Sequence, residues 1–154
     1  MAKFIRISQS KKLYLLIAIL QFFIVVGSAR STEVVDSRFA TFWAEFRQAV
    51  INNDKNKINV LTYFPFEVRG VDDNDVIQLL DERMFNNIYE RLVVQMLYLP
   101  TGDQIVAKPM RELIYETKSI SQEDMGNDKT IRFQQFEFER KNGQWRFVRA
   151  FLEE

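Results

Sequence analysis

The sequence predicts an α+β domain in which N-terminal helices pack on a strongly curved antiparallel sheet. Two periodicities carry this. Apolar residues recur at helical spacing over residues 39–50 and alternate at strand spacing over 130–152. Both stretches are dominated by aromatic rings, and an aromatic stripe and an aromatic sheet face each need the other to be covered. Fourteen of the 154 residues are Phe, which brings a large apolar area into a core without any polar atom that needs a partner.

The chain opens with Lys3, Arg6, Lys11 and Lys12, runs apolar from Leu13 to Val26 with Gln21 inside the run, and reaches Gly27-Ser28-Ala29. A basic start, an apolar centre and small residues before a break at Ala29 predict a signal peptide over 1–29, removed on export to the periplasm or the exterior. An uncleaved anchor is the alternative, although the run is short of the ~20 apolar residues of a span. Residues 30–154 then form a single α+β domain of 125 residues (154 − 29), a size that buries its own core.

The first element is a helix in which Phe39, Phe42, Trp43, Phe46 and Val50 fall on one face. Asp36 or Ser37 can cap its start, and Asn52-Asn53-Asp54 ends it. A short helix follows over 55–61, with Ile58 and Leu61 inward. In "FPFEVRG", Phe64 to Gly70, Pro65 favours an extended neighbour and suits the beginning of a strand, with Phe66 and Val68 on one face and Glu67 and Arg69 on the other. The Asp72-Asp73-Asn74-Asp75 cluster lacks the glycine and glutamate that a calcium loop needs at its sixth and twelfth places, which are Ile77 and Arg83. Asn74 or Asp75 is read instead as the cap of a helix from Val76, with a break near Asn86-Asn87 and a stop at Leu99-Pro100-Thr101-Gly102. Val93, Val94, Tyr98 and Leu99 also suit a strand.

The remainder reads as a β-meander with strands over 113–120, 130–140 and 144–152. Asn142-Gly143 is a two-residue hairpin turn that sets Lys141 opposite Gln144, Glu139 opposite Arg146 and Phe138 opposite Phe147. Continued without interruption, that register puts Arg149 opposite Phe136, on the face shared by Phe138, Trp145, Phe147 and Phe151. The apolar phase slips from odd positions, Ile131 and Phe133, to even ones, Phe136 and Phe138. A β-bulge at Gln134-Gln135 accounts for the slip, and a strand covered on both faces would leave it without meaning.

Several chemistries are closed to this chain. It has neither His nor Cys, which removes zinc sites, Ser-His-acid triads and Cys-His pairs. The whole chain balances 21 basic against 21 acidic residues, and without the leader's four cations the remainder stands at 17 against 21. No basic run is present to neutralise phosphates, so nucleic acid is not expected as a partner, nor is a membrane once the leader is gone. No cofactor and no metal are implied.

A long aromatic helix, a short second helix, a strand reached through Phe-Pro, further helix and a terminal meander, with "FATFWAEFRQAV", "LTYFPFEVRG" and "QFEFERKNGQWRFV", resemble the nuclear transport factor two-like superfamily, and most of all its small exported bacterial members of unassigned activity. The resemblance implies a cone in which helices cover the concave side of the sheet and leave a pocket at the open end. Ketosteroid isomerase-like and polyketide cyclase-like members work there with an acid-base Asp or His. No residue of this chain matches such a motif, so the expectation is a non-catalytic binding module for a small apolar ligand or a protein partner. Arg149 is the ligand-binding candidate, because a cation on an aromatic face needs a counter-charge from Glu45, another acid of the domain, or a ligand. A periplasmic immunity-type protein, and a His-free isomerase- or cyclase-like enzyme drawing on Asp103, Tyr63 or Tyr115, are the alternatives.

Overall fold

The computed structural model describes residues 37–70, 76–120, 125–127 and 129–152. They belong to a compact unit spanning Val35–Glu154. The leader expected over 1–29 and the Asp72–Asp75 cluster lie outside the described residues.

Helix α1 (Ser37–Ile51) buries Phe39, Phe42, Trp43, Phe46 and Val50 as the spacing requires, and Asn53 leaves it in the left-handed region at φ 52°. Helix α2 (Lys55–Leu61) is capped by Asp54, whose carboxylate accepts from the Lys57 N–H at 3.0 Å. Strand β1 (Thr62–Arg69) follows without a loop. It starts three residues before the proline rather than at it. The pairing of β1 with the last strand is interrupted between Thr62 and Glu67, so Pro65 sits where a ladder donor is not needed, and the Phe64–Pro65 bond is cis. Phe66 and Val68 are buried, and Glu67 and Arg69 face the other way.

The middle of the chain departs from the expected long helix. Val76 and Ile77 are irregular, β2 (Gln78–Leu80) pairs with β1, and α3 (Glu82–Val94) begins only at Asp81, whose carboxylate caps it by accepting from the Met84 N–H at 2.7 Å. Asn74 and Asp75 are therefore not its cap, and the helix passes through Asn86-Asn87 unbroken. Leu99-Pro100-Thr101-Gly102 does not stop a helix. It lies in a hairpin of β3 (Met96–Thr101) and β4 (Gln104–Pro109) that turns at Gly102, φ +60°. The strand expected over 113–120 is replaced by α4 (Met110–Glu116), because Met110, Leu113 and Ile114 are buried at helical spacing and Met110 fell outside the stretch read as strand.

The meander holds β5 (Met125–Asn127), β6 (Thr130–Phe133), β7 (Phe136–Lys141) and β8 (Gln144–Phe151). Gln134-Gln135 is not a bulge but a two-residue turn, with Gln134 at φ 54° and Phe133 opposite Phe136. A two-residue reversal joins i to i+3, which changes parity. It thereby puts Ile131 opposite Phe138 on one face and accounts for the slip. A bulge does exist, one strand further on. Phe138 pairs with Phe147 and Glu137 with Arg149, which leaves Val148 as an extra residue in β8.

The main sheet runs β2-β1-β8-β7-β6-β5. β1 and β8 are parallel and the other pairs antiparallel, so the sheet is mixed rather than antiparallel. It is also not strongly curled, which corrects the expected curvature: the bulge invoked to bend one long strand is a turn between two short ones.

Helix and sheet meet through rings. The Phe46 centroid lies 5.1 Å from Phe138 and 5.2 Å from Phe147, Trp43 lies 5.0 Å from Phe133, and Phe39 lies 5.0 Å from Trp145. From α3, Phe85 reaches Phe66 at 4.8 Å. Trp43 also donates its indole N–H to the Thr117 carbonyl at 3.1 Å, so the polar edge of that ring is satisfied. Among the described residues no helix is long and apolar enough to cross a membrane.

Candidate functional site

Val148 decides where Arg149 points. Up to Phe147 the inward residues of β8 are Trp145 and Phe147, and beyond the extra residue Ala150 takes the inward place opposite Phe136. Arg149 turns to the outer face, which corrects its expected position on the aromatic side. There the register aligns one residue from each of four neighbouring strands: Glu67 of β1, Arg149 of β8, Glu137 of β7 and Arg132 of β6. The signs alternate across the row, as favourable cross-strand neighbours do.

Arg149 lies between its acids with its side chain 18 % exposed. One terminal nitrogen donates to Glu67 Oε2 at 2.9 Å and the other to Glu137 Oε1, while Nε lies 2.9 Å from Glu67 Oε1 as an ion pair at an angle that makes no hydrogen bond. Glu139 stands further off at 3.9 Å. The hydrogen bond from Arg149 holds the Glu67 carboxyl below the usual glutamate range, against the opposing effect of burial. The same bond pushes the guanidinium further up. Glu45, anticipated as the counter-charge, pairs instead with Lys57 at 2.5 Å.

The three residues named for carboxylate and tyrosine chemistry are not gathered. Tyr63 lies under Lys141, Tyr115 lies under Arg47, and Asp103 is exposed in the β3–β4 turn. Tyr89, which the sequence did not single out, is the buried phenol: its hydroxyl has no partner among the described residues, and burial pushes its pKa up. Among the described residues no three acidic side chains form a cation site.

The side of the sheet that the resemblance would hollow out is occupied. Phe46, Phe66, Phe136, Phe138 and Phe147 are all fully buried against one another. Space opens instead at the rim, in a groove of about 500 Å³ between α1, α2 and the β7–β8 turn. Phe42, Leu61 and Trp145 form its floor, and Arg38, Lys57 and Arg146 stand in its lining with Glu45 as the one acid. Helical spacing places Arg38, Phe42 and Glu45 on that side of α1, and the Asn142-Gly143 turn, with φ of 52° and 79°, brings Gln144 and Arg146 to face them. Sequence reasoning found the turn but not the groove, since nothing local to Arg146 tells that α2 comes to lie beside it. The chain matches no protein-family model, no curated protein and no solved structure.

Proposed function

We propose that the chain is a non-catalytic binding module with a nuclear transport factor two-like fold, acting outside the cytoplasm, and that it takes a small amphipathic ligand in the groove over Phe42 and Trp145. The observation that carries the reading is the combination of a ring-filled interior with this rim groove, whose lining has three cations to one carboxylate over an apolar floor. Ligand sites commonly join an apolar surface to a few polar groups that fix orientation. The chemistry that fits is an apolar body carrying an acidic head. The element order supports the fold assignment, and the leader supports the location.

Trp145 lies in the floor, so binding is read by its fluorescence alongside a thermal shift. Dodecanoate is expected to raise the melting temperature by several degrees and to change the indole emission, with dodecanol, the same chain without the charge, giving much less. Arg146→Glu should weaken the dodecanoate response at least ~10-fold, which corresponds to about 1.4 kcal/mol. Equal responses to acid and alcohol, or none to either at millimolar concentration, would remove the acidic-head reading.

A further inference from the structure

The β3–β4 ribbon stands apart from the main sheet. Its register, Met96 with Pro109, Tyr98 with Ala107 and Pro100 with Ile105, assigns those six side chains to one face. Every one of them is apolar and none is charged. The opposite face carries Leu97, buried in the core, and Leu99, packed against it, so the ribbon lies on the domain by that side and turns the six outward. Tyr98 is 68 % exposed, Ile105 74 % and Met96 45 %.

We infer that this face is the contact with a second copy of the chain. Two arguments select that occupant. The first is charge: in a two-fold contact the same patch faces itself, so a charge lying on the axis would meet its own copy, and this face carries no charge that could do so. A basic, acidic or anionic-lipid partner would call for charges that these residues lack, and the nearest cation on the ribbon, Lys108, is on the other face and already held by Glu112 and Glu116. The second is area. The exposed parts of the six side chains amount to on the order of 500 Å², the upper range for one patch on a monomer. Two copies face to face would cover about 1,000 Å², where specific interfaces begin. Such a dimer is reversible and in exchange with monomer at micromolar concentration. The ribbon is separate from the groove over Trp145, so this inference stands or falls without the ligand reading.

Sedimentation equilibrium on the purified chain from about 1 to 100 µM tests it. The expected result is a monomer–dimer equilibrium that Tyr98→Thr with Ile105→Lys weakens roughly 100-fold, with an unchanged circular-dichroism melt because both side chains are exposed. An independent readout uses the absence of cysteine: Ala107→Cys introduces a single thiol, which a short bismaleimide should join into a covalent dimer, while Gln144→Cys at the other hairpin should not cross-link. A wild type that stays monomeric throughout, a dimer that survives the double substitution, or an Ala107→Cys chain that does not cross-link overturns the inference. So does a monomer that co-sediments with neutral phosphatidylcholine vesicles, which would assign the face to lipid.

Discussion

Arg149 is held by carboxylates from two different strands, so its removal does more than delete a bond. Without the cation, Glu67 and Glu137 would face each other at the same level of the outer face, and a partly buried like-charge pair is costly. We expect Arg149→Ala to destabilise the domain by about 2–3 kcal/mol, read as a lower denaturant midpoint, and Arg149→Lys to lose part of that, because an ammonium cannot reach both acids as the guanidinium fork does. The cluster also has a pH signature. Glu67 has a folded pKa held below its ordinary 4.5, so its contribution is complete above that value and is lost as the pH falls through the depressed folded value. Melting temperatures should therefore fall below about pH 4.5, and Glu67→Gln should flatten that decline while lowering stability by about 1–2 kcal/mol at neutral pH. A Glu67→Gln chain with an acid limb as steep as wild type would show that other carboxylates set it.

Among the elements, β8 carries the decisive irregularity. Deleting Val148 would remove the extra residue and leave Phe138–Phe147, Glu137–Arg149 and Phe136–Ala150 as consecutive pairs, so the guanidinium keeps its place on the outer face. The expected outcome is a deletion variant that still melts cooperatively and keeps the acid-pH signature of the Arg149 cluster, whereas Val148→Ala, which keeps the extra residue, should fold at a cost of about 1–2 kcal/mol. A deletion variant without a cooperative melt would mean that the local coiling the bulge gives β8 is itself required. This is also where the sequence could be read and where it could not. The Asn142-Gly143 turn fixed three cross-strand pairs in advance, because turn chemistry is local. Val148 gives no such sign: its apolar side chain fits either face, and only Glu67 on a neighbouring strand shows why Arg149 turns outward. Gln134-Gln135 misled for the opposite reason. The change of phase was legible, but a turn and a bulge shift parity alike, and Gln is not a residue that marks left-handed turns. In α4, the helical spacing of Met110, Leu113 and Ile114 went unused because the strand read over 113–120 began after Met110.

At the scale of the molecule, the aromatic interior was the most legible feature, since rings at helical spacing and rings at strand spacing have one way to be covered together. The topology of the sheet was not. Nothing in "FPFEVRG" says that its strand will lie parallel to the last one, and a parallel neighbour arises only through the crossover formed by everything between them. The same limit hid the groove over Trp145 and the partners of Arg149, each assembled from residues far apart in the chain.

The position of β8 between β1 and β7 makes it the only link between two parts of the main sheet among the described residues. The keystone of the sheet comes last among its strands in chain order, so without it a β1–β2 pair and a β5–β6–β7 group have no strand to join them. A chain truncated after Asn142 should therefore lack a melting transition altogether, rather than melt early. Without that strand the rings of Phe136 and Phe138 lose the Phe147 ring that covers them, and the two halves of the sheet have no common edge.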